Sequence, residues 1–137
     1  MKKIPMGSPT SWEWADCPGI IEPTSGNTGA KNWQSEGPLE VCAIGADGKS
    51  YKVQSLVLGT AELSGSLITI TMEMKVEGIV DTVYDQSFNR SPGHHPPGLW
   101  VINGTLGIHN ALVVKLKSNS PGDDGKAISY DYSREAA

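Results

Sequence analysis

The strongest constraint on this chain lies in ten residues. In Leu67–Val76, Ile68, Ile70, Met72, Met74 and Val76 alternate with Thr69, Thr71, Glu73 and Lys75. Side chains of a strand point to opposite faces with a period of two, so this stretch buries one face and wets the other. A helix would scatter the five apolar residues around its circumference. A half-wet strand belongs in an antiparallel sheet. The rest of the chain must therefore supply partner strands and a second apolar layer.

Further strand signals follow. Leu39–Ile44 is a short apolar run, and Asp47-Gly48 after it predicts a tight hairpin, because Gly accepts positive φ; 51–58 is the returning strand. Residues 61–63 and the strand from Leu67 flank a Ser64-Gly65 turn. Gly78 breaks the alternation and predicts a bulge, with 79–84 as a second half-strand. Asn103-Gly104 predicts another hairpin, between 99–102 and 105–108. Residues 111–117 alternate again, and 127–132 place Ile128, Tyr130 and Tyr132 on one face. The sum is an all-β chain of about seven or eight strands, an antiparallel sandwich or partly closed barrel. Its core candidates are Val41, Val53, Leu56, Ile68, Ile70, Met72, Met74, Val76, Val83, Val101, Leu112, Val114, Leu116, Ile128 and Tyr130.

A length of 137 residues fits one domain. Residues 1–37 read differently from the rest. Prolines at 5, 9, 18 and 23 and glycines at 7, 19, 26 and 29 interrupt every regular element there. Yet Trp12, Trp14 and Trp33 fall in this stretch, and a solvated tail lacks such residues. The expectation is an irregular N-terminal arm over 1–37, packed on its own domain or on a neighbouring chain, followed by a single β domain over 38–137.

Composition narrows the function classes. A net charge of −4 argues against a broad nucleic-acid surface. No apolar run is long enough for a membrane helix. Lys2 and Lys3 resemble the start of an export signal, but Pro5, Gly7 and Pro9 stand where its apolar stretch belongs, so synthesis in the cytoplasm is expected. Cys17 and Cys42 allow one bridge; without an export signal, two reduced thiols are the expected state.

Candidate chemistry is sparse. His94 and His95 sit in a Pro/Gly-rich loop over 85–98, and His109 is the third histidine. Adjacent residues of an extended loop point apart, so His94 and His95 do not share one ion easily, and a polar surface loop is the simpler reading. Asp123-Asp124 resembles a calcium loop only superficially and reads as a turn. Glu73, Glu77, Asp81 and Asp85 recur every four residues, which on a strand makes a solubilising ridge that discourages edge pairing. No nucleophile elbow, phosphate loop or dinucleotide fingerprint occurs, and no cofactor is called for.

These features point to a non-enzymatic structural protein that assembles with itself. A virion or phage component (coat, decoration or tail-tube subunit) or a filament subunit fits this description. The homo-oligomer would form through the N-terminal arm and the 85–98 loop, with Trp12, Trp14, Trp33, Phe88, His94, His95 and Trp100 as candidate contacts. The alternative is a carbohydrate-binding, lectin-like module that stacks indoles on sugar rings. A small β-barrel enzyme using the histidines or the acidic ridge ranks third.

Overall fold

The computed structural model describes residues 21–34, 37–89 and 98–136; of Glu22, Gly98, Leu99 and Trp100 only the backbone is described. Eight strands run in the order β1 (Ile21–Asn27), β2 (Leu39–Ile44), β3 (Tyr51–Gly59), β4 (Leu67–Val76), β5 (Ile79–Asn89), β6 (Gly98–Ile108), β7 (Leu112–Ser118) and β8 (Ser129–Ala136). They form two antiparallel four-stranded sheets, β1-β8-β3-β6 and β2-β7-β4-β5. The pairs β1–β8, β2–β7, β3–β6 and β4–β5 are nested, like one long hairpin folded at the β4–β5 turn and rolled up. That is the strand order of an eight-stranded jelly roll. The two-sheet closure settles the architecture as a sandwich.

The core lies between the inner faces. Ile68, Ile70 and Met72 of β4 meet Val53, Leu56 and Leu58 of β3 and Val114 and Leu116 of β7 in one buried cluster. The alternation in β4 therefore does what the sequence implies, except at its end. Val76 and Val83, both expected in the core, are exposed, and Met74 and Tyr130 are only half-buried. Met74 and Tyr130 pack against the margin of the core cluster, whereas no described residue covers Val76 and Val83.

Turn chemistry accounts for three further differences. Glu77 and Gly78 both adopt positive φ, 54° and 79°, and Val76 pairs with Ile79. This is a two-residue hairpin turn of the primed type, which matches strand twist, so Gly78 is a turn and not a bulge. At Asn103-Gly104 only Gly104 has positive φ, so the primed turn does not form. Instead β6 runs straight through, with Gly104 and Thr105 opposite the single residue Gln54: a bulge. The Asp47-Gly48 turn is real, with the Lys49 amide donating to the Ala46 carbonyl at 3.1 Å. Its flanking strands nevertheless lie in different sheets, so it is a crossing and not a hairpin. Residues 61–63 form a turn, not a strand.

The first 37 residues are not all arm. Ile21–Asn27 pair along the whole of their length with β8, and Trp33 is fully buried. Its indole N–H donates to the Lys126 carbonyl at 2.8 Å. The Lys31 amide also donates to Lys126, and the Gly125 amide to the Lys31 carbonyl at 2.7 Å. A lone large aromatic in a Pro/Gly-rich stretch is thus a core anchor of its own chain. Residues 21–27 and Trp33 of the expected arm are therefore part of the sheet and the core.

One carboxylate holds the same end of the sandwich. Asp123 is buried where a short 3₁₀ turn, Pro121–Asp123, follows β7. It accepts from the Ser64 amide at 2.5 Å, the Ser64 hydroxyl at 2.8 Å, the Gly65 amide at 2.8 Å and the Ser118 hydroxyl. The β3–β4 and β7–β8 connections are thereby tied together. Gly65 is required here, because a Cβ would overlap Ser118 Oγ. At the opposite end Asp47 pairs with Lys75 Nζ at 2.9 Å and accepts from the Ala111 amide at 3.2 Å. The Lys75 ammonium and that amide hold the Asp47 carboxyl below its ordinary value.

Burial pushes the Asp123 carboxyl up, but the bonds from Ser118, Ser64 and Gly65 outweigh it and hold the pKa below the usual aspartate value. Its contribution to stability is then complete above the unfolded pKa near ~3.9 and is lost as pH falls through the lower folded value. Asp123→Asn is expected to cost about 2–3 kcal/mol at neutral pH, since buried donors lose a charged acceptor. Urea unfolding of both proteins from neutral pH down through the acid range checks this: the deficit narrows as the wild-type carboxylate protonates.

Candidate functional site

The two sheets are not equally covered along their lengths. The β4–β5 hairpin projects past the core, so that β5 is exposed except at Tyr84 and Phe88, which are half-buried. Its apolar side chains Ile79, Val80 and Val83 are 66%, 57% and 45% exposed, and Leu106 of β6, across the cleft from Val83, is 39% exposed. Isolated exposed aliphatics are ordinary on a protein surface. Val76, Ile79 and Val83 on the inward-facing side of the hairpin, with Leu106 of the next sheet, form a patch, whereas Val80 stands opposite Lys75 on the outer face.

Between these elements lies a cleft of about 390 Å³. Met72 and Met74 of β4 and Val83 and Tyr84 of β5 form one wall, and residues 101–108 of β6 form the other, with Leu112 and Ile108 at the floor. The bulge at Gly104 shapes the β6 wall, because two residues there occupy the space of one in the ladder. Polar side chains on the lining are few: Asn103, Thr105 and the Tyr84 hydroxyl. Burial raises the Tyr84 pKa, so the phenol stays neutral and donates or accepts hydrogen bonds only. The cleft suits an apolar occupant, and its open side lies between the edge strands β5 and β6.

The sequence-derived candidates are scattered. Trp12, Trp14, His94, His95 and Cys17 lie outside the described residues. Trp33 is a correction: with no exposed surface it makes no contact with a neighbour or a sugar. Phe88 is not in a loop, since β5 continues through Asn89; it sits opposite Ile68 and packs against the core. Trp100 is a β6 residue opposite Val57. His109 is exposed, with Nδ1 2.8 Å from the Ser50 hydroxyl.

The acidic ridge is not one ridge. Glu73 faces outward and pairs with Lys115 at 2.9 Å, whereas Asp81 lies opposite Met74 on the inward-facing side of the ladder. A register break at Val83 separates the two halves of β5 and flips the parity between Asp81 and Asp85. Among the described residues no three of His, Cys, Asp and Glu are grouped to hold a metal ion. Cys42 is a free thiol, buried between β7 and the core; burial, with Glu40 adding to it, pushes its pKa up to about 12. It is therefore a packing residue without thiolate character.

No protein family, no curated protein and no solved structure matches the chain. Among the described residues no helix is long and apolar enough to cross a membrane.

A neutral environment-sensitive dye tests the cleft directly. Nile red is expected to brighten with the native protein, and Met74→Glu/Val83→Glu, both at partly exposed positions, to reduce that signal several-fold without loss of β-sheet circular dichroism. Equal dye fluorescence in the variant would mean the probe binds elsewhere.

Proposed function

We propose that the protein is a non-enzymatic structural subunit that associates with copies of itself, of the kind that builds a virion (coat, decoration or tail tube) or a filament. The observation that carries this reading is the apolar rim that the described residues leave exposed, Val76, Ile79, Val83 and Leu106, beside an apolar cleft that Val83 and Leu106 line. Monomeric surfaces rarely leave such contiguous patches in water, and covering them by another copy removes the cost. Jelly rolls occur in capsid proteins and in lectins alike, so the fold supports the reading by analogy only.

The contact surface moves with this reading. Trp33 leaves it, and the exposed part of the β4–β5 hairpin enters it; the proposed contributions of residues 1–20 and 90–97, with Trp12, Trp14, His94 and His95, remain in place. The lectin-like alternative gains no support. It depended on exposed indoles, of which Trp33 is enclosed, and sugar binding needs more convergent hydrogen-bonding groups than the cleft lining offers.

Light scattering coupled to size-exclusion chromatography of the full chain over a concentration series tests the proposal. The mass is expected to exceed that of one chain and to fall toward it in Ile79→Lys/Val83→Lys. A wild-type protein that stays at one-chain mass at the highest concentration overturns it.

A further inference from the structure

Four strands of this sandwich are sheet edges: β1 and β6 on one sheet, β2 and β5 on the other. Soluble proteins blunt such edges with prolines, bulges, charged side chains, inward-pointing charges or short length, because unpaired backbone groups template pairing with another chain. Three of the four are blunted in these ways. β1 carries Pro23 and Gly26. β2 has six residues and a register break at Val41. β6 contains Gly98, Gly104 and Gly107 and two register breaks. β5 differs. Its bulge at Val83 and its inward-facing Asp81 lie toward the hairpin tip, and from Tyr84 to Asn89 it runs six residues with no proline, glycine, lysine, arginine or register break, Asp85 being the one charge there. Among the described residues its only ladder is the one to β4.

We infer that β5 pairs antiparallel with the β5 of a second copy about a two-fold axis at Gln86, which joins two β2-β7-β4-β5 sheets into one eight-stranded sheet. This deepens the reading of a self-associating subunit and rests on it. The register comes from the residues. Pairing centred on Gln86 sets Tyr84 opposite Phe88 twice, Asp85 opposite Ser87 twice, and Gln86 opposite Gln86. Aromatic cross-strand pairs and amide pairs are favourable, and no like charges meet. The alternatives fare worse. Centring on Asp85 sets Asp85 against its own copy, and centring on Val83 sets Asp81 against Asp85, each a like-charge clash directly across the ladder. Centring on Tyr84 runs both strands across the Val83 break, where the side chains change face. The two aspartates thus exclude two registers, and centring on Ser87, which sets no like charges together, loses the Tyr84–Phe88 and Gln86–Gln86 pairs that the Gln86 register makes.

A second copy is the fitting occupant because a two-fold contact must be self-complementary, and this stretch of β5 is. The contact is also continuous with the apolar rim: Val83 borders the paired segment and the cleft beside it.

The full-length chain carries the test, since Gln86 is exposed and its replacement leaves the core untouched. Gln86→Lys sets two ammonium groups face to face on the axis and is expected to weaken self-association by about tenfold or more, with unchanged circular dichroism. Ser25→Lys on the edge of β1 is expected to leave it unchanged. In a Cys17→Ser background, mild oxidation of Gln86→Cys is expected to give a disulfide-linked dimer, and Thr82→Cys is expected not to. Wild-type mass for Gln86→Lys, or cross-linking at Thr82→Cys as fast as at Gln86→Cys, overturns this interface while the oligomer itself stands. A monomeric wild type removes both.

Discussion

The carboxylate of Asp123 is the contact on which the rest of the sandwich hangs. Of the seven connections between strands, only the β4–β5 turn stays within one sheet; the other six pass from sheet to sheet. A sandwich built this way is held in register by its ends. Asp123 draws two of those connections together, with donors from Ser64 and Gly65 on one and Ser118 on the other. Gln34 donates its amide to Asp124 at 2.9 Å, and Trp33 reaches Lys126, so the segment after β1 is fixed to the same loop. A buried carboxylate without these donors would be strongly destabilising; with them it acts as a rigid pin.

That closure explains why the exposed surface lies where it does. The end at Asp123 is sealed by a tryptophan and a satisfied network. The end at Asp47 is clipped by an exposed ion pair and by Asn110, which accepts from Gly48 and donates to the Lys75 carbonyl, each at 2.9 Å. Beyond Lys75 the hairpin residues through Val83 are exposed among the described residues. The long edge β5 and the cleft beside it are what the rolled-up nesting of strands leaves over, since the outermost pair of the fold closes neither sheet on itself.

Much of this fold was legible in the sequence, and the misses share a cause. Strand periods in 67–76 and 111–117 identify β4 and β7, because alternation is a local property that a sheet must obey. Asp47-Gly48, Gly78 and Asn103-Gly104 were also recognisable as special backbone sites. Which of them turns, bulges or crosses between sheets depends on what its flanking strands pair with, and that is set far away in the chain. Trp33 and Asp123 carry no local signal either. An indole among prolines and an aspartate after Pro-Gly read as arm and turn until each is brought against a loop some sixty to ninety positions distant.

The same distinction gives Val76 and Val83 their meaning. Their placement in β4 and β5 obeys the apolar pattern of a buried face, yet the opposing sheet stops short of them. Alternation therefore encodes a side chain suited to a covered face, while the described residues leave it exposed. Where pattern and burial agree, as at Ile68, Ile70 and Met72, the partner layer is inside the molecule. Where they part, at the tip of a hairpin, the described residues supply no covering layer, and that is the opening the proposed second copy would fill.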